Sequence, residues 1–343
     1  MILGIESSCD ESALALYDRE KGLEGEWVHS QIAKHAEYGG VVPDLAVRQH
    51  LQNFFPLLDL ASKGKDLSQL VTEIAVTCGP GLIGCLGVGL SLGKTLGSLW
   101  GVKVVGVNHL RAHAFSTFMN IADKGLKFHE LLPHLGLLVS GGNTLLFEIS
   151  ENAAFQVIGR TRDDAAGEAL DKGAKLLGIP YPGGAELERR AKHGNPMAFS
   201  FPRAFQSKNA NDFSFSGLKT SLLYTLQKMT LAETGQRHAD LCASYQEAAI
   251  DQLVKKSVSF LKNKRYRSFG LSGGVANNQI LRNRMKEVCL QNKIIFLAAE
   301  KKHSGDNAAM IAHAATLDSD GLWSNNDGDL NFKPGLTIET TVS

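Results

Sequence analysis

An internal duplication constrains the fold of this chain more than any other feature of its sequence. Residues 2–18 and 134–150 each consist of a strand-like apolar run, a small polar turn and a second apolar run. Residues 73–84 and 268–278 each read as a buried strand that enters a glycine turn and a helix. The first pair is offset by about 133 residues and the second by about 195, so the second half holds about 60 additional residues. Two related halves are therefore predicted.

The order of the repeated units predicts an α/β fold. Strands joined through helices pair in parallel, and hairpins followed by strand–helix units are typical of the actin, Hsp70 and sugar-kinase (ASKHA) group. In that design, turns with free backbone N–H groups hold phosphates. We expect duplicated ASKHA domains that flank a nucleotide cleft. The N-terminal lobe is predicted over 1–130, with the tail 316–343 packed back on it, and the C-terminal lobe over 131–315, with an insertion at 179–235.

Charge and cysteine content exclude several classes of protein. The chain has 36 basic and 35 acidic residues, so any RNA contact must come from a local patch or a partner. The five cysteines form no CxxC pair, which argues against a disulfide scaffold and fits a reducing cytoplasm. The strand-like start argues against a secretory signal. Residues 74–93 carry no charge, but Pro80 and several glycines favour strand, turn and helix over a membrane span.

Two histidines four residues apart form a metal-binding pattern. His109 and His113 fall on one face of a predicted helix, a spacing with which two imidazoles hold one ion. A third ligand is expected, because open catalytic sites usually have three. Asp306, at a predicted helix start, is the first candidate, and Asp10 is the next. The alternatives are two surface histidines and an aspartate that only caps its helix. The HExxH metalloprotease motif is absent, because Leu110 follows the first histidine.

Glycine turns form a second candidate site. Ser140, Gly141 and Gly142 follow one predicted strand, and Gly273 and Gly274 follow another. Backbone amides in such turns approach an anion without obstruction by a Cβ atom. The two turns together favour a phosphate or adenylate site.

Two other glycine patterns do not fit a nucleotide motif. Residues 79–84 match GxGxxG, but a proline lies inside the turn and the next strand has no acidic residue at its end to hold a ribose. Residues 89–95 approach the P-loop, but only three residues separate the glycines. We therefore predict neither a dinucleotide fold nor a P-loop.

A helix and the insertion supply the remaining candidates. The helix predicted over 163–178 places Asp171 where it can reach a ribose hydroxyl or face solvent. In the insertion, aromatic and basic residues alternate, and they either hold unpaired RNA or form core. These residues are Phe199, Phe201, Arg203, Phe205, Lys208, Phe213, Phe215 and Lys219.

Several of these segments resemble the TsaD family, once labelled O-sialoglycoprotein endopeptidase. They occur in the family's order from residue 5 to about 315, and include HAEYGGVVP, GPGLIG, HLRAH, LLVSGGNT, DDAAGEALDKGAKLLG, DFSFSGLKT and GDNAAMIA. The length of HAEYGGVVP and DFSFSGLKT makes coincidence implausible. One departure is Asn143, which stands where bacterial members often have histidine.

The resemblance implies transfer of a threonylcarbamoyl group from threonylcarbamoyl-AMP to N6 of adenosine 37 in tRNAs that read ANN codons. It implies one divalent transition metal, iron or zinc, held by His109, His113 and Asp306, and it places Asp10 at the reacting centre. Partners implied are tRNA, a paralogous TsaB-like dimer partner and a TsaE-like ATPase in the cytoplasm, away from membranes. The positions that resemble the adenylate site are Leu138, Val139, Ser140, Gly141, Gly142, Asp171, Gly184 and Asn278.

Three other functions are weighed against this interpretation. A non-catalytic ATP-binding scaffold of the Hsp70 type would keep a nucleotide turn without metal ligands, whereas this chain keeps both histidines and Asp306. A sugar kinase would use an aspartate as base and would not need the HxxxH pattern. A metallopeptidase is disfavoured by Leu110.

Overall fold

The structure is a computed structural model that describes residues 1–204, 211–263, 266–324 and 330–341. The strands of these residues form two sheets. In chain order they are β1 (Ile2–Glu6), β2 (Glu11–Asp18), β3 (Gly22–Ser30), β4 (Glu73–Gly79), β5 (Lys103–Asn108), β6 (His134–Val139), β7 (Thr144–Ile149), β8 (Phe155–Arg160), β9 (Ser268–Ser272), β10 (Ile295–Ala298) and β11 (Leu322–Ser324).

Helices connect the strands and cover the sheets. In chain order they are α1 (Ile32–Ala36), α2 (Pro43–Ser62), α3 (Leu67–Leu70), α4 (Ile83–Trp100), α5 (His109–Phe115), α6 (Ala166–Leu176), α7 (Gly184–Ala191), α8 (Ser216–Gln227), α9 (Leu231–Gln236), α10 (His238–Asn263), α11 (Gln279–Gln291) and α12 (Ala308–Leu317). Among the described residues, none of these helices has both the length and the apolar character that a membrane span requires. The uncharged residues 74–93 form most of β4 and the start of α4.

The chain divides into two compact units, and the first contains Met1–Asn120 and Gly305–Ser343. Its sheet has the order β11-β5-β4-β1-β2-β3, with β1, β4 and β5 parallel and β2 and β3 antiparallel. Helix α12 packs on β1 and β2, where Gly4 lets it approach closely. The lobe boundaries were expected after residues 130 and 315 of the chain, whereas the two units are divided after residues 120 and 304.

The second unit, Ile121–Ser304, repeats the topology of the first. Its sheet has the order β10-β9-β6-β7-β8, which matches β5-β4-β1-β2-β3 strand for strand, including the parallel and antiparallel pairings. The predicted duplication and the α/β class are therefore confirmed. Strand β11, which pairs antiparallel with β5, has no counterpart in the five strands of the second sheet.

The described part of the insertion contains α7, α8 and the start of α9 within residues 179–235, joined by irregular segments. Phe201, Phe213 and Phe215 are buried in the core of the second unit. Of the two predictions made for these aromatic residues, RNA stacking is wrong for these three, because their rings are inaccessible. Phe205 and Lys208 lie outside the described residues.

Candidate metal centre and nucleotide turns

Helix α5 carries both histidines and begins directly after β5. The side chain of Asn108 caps the helix, because its Oδ1 accepts hydrogen bonds from the backbone N–H groups of Leu110 (3.0 Å) and Arg111 (3.3 Å). The helix is seven residues long and every residue of it is buried. The predicted spacing therefore places two imidazoles in a protected part of the first unit.

Asp306 meets both histidines. Its Oδ1 lies 3.0 Å from Nε2 of His113 and 3.4 Å from Nε2 of His109. One ligand atom from each of the three residues lies within 4.8 Å of the others. The two rings are nearly perpendicular, at 87°, with centroids 4.7 Å apart. Two imidazole nitrogens and one carboxylate oxygen form a donor set that fits zinc or iron, so this cluster is a possible metal site.

A buried carboxylate stands behind the first histidine. Oε2 of Glu6, at the end of β1, lies 3.0 Å from Nδ1 of His109. Glu6 also accepts hydrogen bonds from Thr77 Oγ1 and from the backbone N–H of Ser8, both at 2.5 Å. A carboxylate that is hydrogen-bonded to the ring nitrogen not facing the metal fixes the tautomer and orientation of a metal-binding imidazole. His109 therefore presents Nε2 toward Asp306.

Mutual attraction sets the charges of this cluster. Burial lowers the pKa of His109, but Glu6 and Asp306 raise it more, so its pKa stands well above the ordinary value. Burial raises the pKa of Asp306, yet both histidines outweigh it and hold that pKa far below its usual range. Burial also raises the pKa of Glu6, but His109 outweighs this effect, so the pKa of Glu6 is lowered. The site keeps two carboxylates ionised, and a metal cation can replace the proton on His109.

A buried ion pair holds α5 from its other side. The guanidinium of Arg111, between the two histidines in sequence, donates through Nε to Asp318 Oδ2 at 2.5 Å and makes a second bond to the same carboxylate. It also donates to the carbonyl of Ile338 at 3.4 Å, and Asn108 donates to the carbonyl of Thr337 at 2.8 Å. Both faces of the short helix are thus fixed, which keeps the histidines in place.

Two carboxyl groups lie side by side at the start of β2. Burial, with repulsion from Asp306 and Asp10, raises the pKa of Glu11 to about 10. Glu11 is therefore protonated at neutral pH, and its Oε1 accepts a hydrogen bond from Ser30 Oγ at 3.0 Å. His50 holds the segment around Asp10 through two hydrogen bonds. Its Nε2 lies 3.0 Å from the carbonyl oxygen of Cys9, and its Nδ1 lies 2.8 Å from Oγ of Ser12. Asp10 is buried at 8 % exposure.

The glycine turns lie next to each other in the second unit. Strands β6 and β9 are parallel neighbours, with Leu138 opposite Ser272, so residues 140–142 and 273–274 leave the same edge of the sheet. Gly273 has φ of 87°, and a Cβ there would collide with the carbonyl of Val139. A Cβ on Gly141 or Gly142 would meet no atom within 4 Å. The side chains of Leu138 and Val139 are fully buried, so these two residues offer only backbone to a ligand.

Three other residues predicted to bind the adenylate form hydrogen bonds within the second unit. Oδ1 of Asp171 accepts hydrogen bonds from the backbone N–H groups of Gly183 (2.9 Å) and Gly184 (2.8 Å), where α7 begins. Burial raises the pKa of Asp171 although these bonds oppose it. Asn278 caps α11 through its oxygen and donates to Gln246 at 2.9 Å. All eight predicted adenylate positions lie within the second unit, and their ligand role stays a prediction.

A family model described as tRNA N6-adenosine threonylcarbamoyltransferase matches residues 22–313. The chain belongs to the TsaD family. A curated relative of the same description from Burkholderia mallei (strain ATCC 23344) is 43% identical, over 92% of this chain and 92% of its own. Another, from Anaeromyxobacter sp. (strain Fw109-5), is 44% identical, over 92% of this chain and 93% of its own. The protein is a transferase family member, as its motifs predicted.

Solved structures of distant proteins share the fold. The activator of 2-hydroxyisocaproyl-CoA dehydratase from Clostridium difficile, with bound ADPNP, has a TM-score of 0.52 at 13% identity and covers 92% of this chain and 94% of its own. HypF from T. kodakarensis has a TM-score of 0.57 at 15% identity, covering 91% of this chain and 46% of its own. The predicted ASKHA fold of this TsaD family member is confirmed.

The sequence analysis missed two acidic residues of the site. Glu6 ends a strand whose other residues are apolar, and an ionisable group on an otherwise apolar buried strand was a usable signal. Glu11 is the first residue of β2, and nothing in the sequence indicates that its carboxyl group is protonated at neutral pH.

Proposed function

We propose that the chain transfers threonylcarbamoyl from threonylcarbamoyl-AMP to N6 of adenosine 37 in tRNAs that read ANN codons. The observation that carries the proposal is the complete His109, His113 and Asp306 cluster in a chain whose family match spans residues 22–313. A non-catalytic scaffold would not need these ligands. The buried Leu110, where HExxH would place its base, disfavours peptide hydrolysis.

His109, His113 and Asp306 would hold one iron or zinc ion. When bound, such an ion polarises a carbonyl group and stabilises negative charge on its oxygen. Glu6 acts through His109 by fixing the orientation of the ring. The roles left for the protein are to orient the donor and the acceptor and to move a proton.

Asp10 is proposed as the proton acceptor for the N6 amine. The amine loses a proton as its nitrogen bonds to the carbamoyl carbon, and a carboxylate within hydrogen-bond reach can take it. Glu11 beside it is not the acceptor, because burial and repulsion from Asp306 and Asp10 raise its pKa to about 10 and keep it protonated at neutral pH. Backbone N–H groups of residues 140–142 and 273–274 would stabilise the phosphate of the leaving AMP.

Partner proteins are proposed to complete the activity. The net charge of +1 gives the chain no overall excess of basic residues for tRNA, which supports a need for other subunits. On α2, Leu51 and Phe55 are 56% and 71% exposed although they are apolar and one helical turn apart. Such a pair favours contact with another protein, and we assign it to the TsaB-like partner. A TsaE-like ATPase is the other proposed partner.

The function is tested by mass spectrometry of tRNA nucleosides. The purified chain, with metal, threonylcarbamoyl-AMP, an ANN-decoding tRNA and both partners, is expected to form threonylcarbamoyladenosine. We expect Asp10→Asn to lower the turnover by about a hundredfold or more with the bound metal retained, since a positioned base contributes roughly 10²–10⁴. Asp59→Asn, at an exposed carboxylate of the same unit, is the matched control. Absence of product with all components present would refute the function.

A second prediction concerns the turn after β6. The side chain in Gly142→Val has room in the fold, but it would block backbone approach to a phosphate. We expect at least about a tenfold loss of AMP affinity in calorimetry, equivalent to roughly 1.4 kcal/mol. Gly235→Val, at an exposed glycine whose added Cβ also meets no atom, controls for the substitution itself. Equal AMP affinity in a folded Gly142→Val protein would reject the turn as a phosphate site.

A further inference from the structure

An open groove runs along α8 in the second unit. It has a volume of about 680 Å³. One wall is formed by α8 and the other by Phe199, Met229 and Arg237. The groove is separate from the buried faces of the insertion, where the phenylalanines form core.

The α8 wall is one continuous face of the helix. Its lining residues recur at intervals of three and one, which is the period of an α-helix. The opposite face carries Leu218 and Leu222, which are buried in the core. The wall residues are Ser216, Gly217, Thr220, Ser221, Tyr224 and Thr225 of α8, and Lys228 directly after the helix. The helix is thus anchored on one side and presents a hydroxyl-rich surface on the other.

Polar groups of this face are available for a ligand. Within the described residues, the side-chain hydroxyls of Thr220, Ser221 and Tyr224 form no hydrogen bond, and Lys228 forms no ion pair. The ring of Tyr224 is 58% exposed. An exposed aromatic ring beside free hydroxyl groups and a free ammonium offers stacking, hydrogen bonding and charge in one place.

The facing wall adds a second cation with a fixed position. The guanidinium of Arg237 lies 4.0 Å from the centroid of the Phe199 ring and donates to the carbonyl of Ala198 at 3.4 Å. Its Nε forms an ion pair at 3.8 Å with Asp240 Oδ2, and Asp240 does not line the groove. Among the described lining residues there are two cations and no carboxylate. The groove is therefore complementary to a polyanion.

We propose that this groove binds a single-stranded segment of the tRNA, an inference that rests on the proposed function. Lys228 and Arg237 contact phosphates, Tyr224 stacks on an unpaired base, and the hydroxyls of Thr220 and Ser221 bond to ribose or phosphate oxygens. Cations that track the backbone and aromatic rings that stack on bases are the two elements with which proteins hold single strands. Hydroxyl groups suit RNA further, because the ribose 2′-OH both donates and accepts.

The proposal is tested by tRNA binding to the full chain. Fluorescence anisotropy with a labelled ANN-decoding tRNA is measured over a series of salt concentrations. The double variant Lys228→Gln/Arg237→Gln is expected to bind at least about tenfold more weakly, and the slope of log K against log salt should shrink by about 1.4, roughly 0.7 for each lost phosphate contact. Tyr224→Leu should also weaken binding by about tenfold, with an unchanged slope, because only stacking is lost.

The control removes the same charge elsewhere in this unit. Lys262→Gln/Lys286→Gln alters two exposed lysines, on α10 and α11, that do not line the groove, and should bind tRNA as the unaltered chain does. In the transfer assay, the groove variants should raise KM for tRNA and leave kcat unchanged. If the unaltered chain forms product while the groove variants keep its affinity and KM, the groove assignment is overturned and the function stands. Loss of a protein partner with tRNA affinity intact would overturn it too.

Discussion

Replacing His113 by alanine is expected to release the metal and to lower the transfer rate by about a thousandfold or more. The unaltered chain should hold about one metal ion, because three ligand atoms converge within 4.8 Å in a protected site. Removing one ligand of three leaves a two-ligand site, and an increase of about 4 kcal/mol in the activation barrier corresponds to that thousandfold decrease in rate. Metal analysis of the purified protein and single-turnover kinetics measure the two effects.

Two companion variants make this test specific. His29→Ala removes an exposed histidine of the same unit and should change neither metal content nor rate. Glu6→Gln keeps all three ligands but weakens the support of His109, so metal affinity should fall by about 10- to 100-fold. Full metal retention in the His113→Ala protein would remove this residue from the ligand set.

Replacing Asp318 by alanine is expected to cost about 3–5 kcal/mol of unfolding free energy. The change leaves the guanidinium of Arg111, whose side chain is only 3% exposed, without its carboxylate partner. An unpaired buried charge lowers the free energy of unfolding by an amount of that size. Because Arg111 lies between the two histidines on α5, metal affinity should fall as well. Urea unfolding of the metal-free protein gives the first quantity and a metal-chelator competition gives the second.

The double variant Arg111→Met/Asp318→Leu separates charge from packing. Apolar replacement of a whole buried ion pair is often neutral or stabilising, so this protein should be more stable than the Asp318→Ala protein. The bond from Arg111 to the carbonyl of Ile338 is lost in it, so some loosening of the tail is expected. A double variant no more stable than the Asp318→Ala protein would show that the unpaired charge of Arg111 is not the cause of the loss.

Much of the fold was predictable because repeated hydrophobic patterns specify repeated strands. The two sheets pair their five common strands in the same order, as the duplicated segments required. The two histidines of the metal cluster were also predicted, from their helical spacing, and Asp306 was predicted to face them from the second half of the chain. These are local patterns, and local patterns survive in a sequence without knowledge of long-range contacts.

What sequence could not supply was the partner of each residue. Whether Phe201, Phe213 and Phe215 face RNA or core depends on packing against α6 and α10, and nothing in their spacing decides it. The same holds for Glu6, whose role requires β1 to end beside α5, 103 residues later in the chain. Such contacts arise only when distant segments have folded together.

The first unit is made of two stretches of chain, and Asp306 follows immediately after the return from the second unit. A ribosome must therefore synthesise the whole of residues 121–304 after the two histidines before the third ligand exists. At roughly 5–20 residues per second, that interval is about 10–40 s. During it, β1 to β5 can assemble with His109 and His113 present and Asp306 still missing. Completion of this three-residue cluster is thus a late event in biosynthesis, and a nascent chain that ends before residue 306 lacks the third member of the cluster.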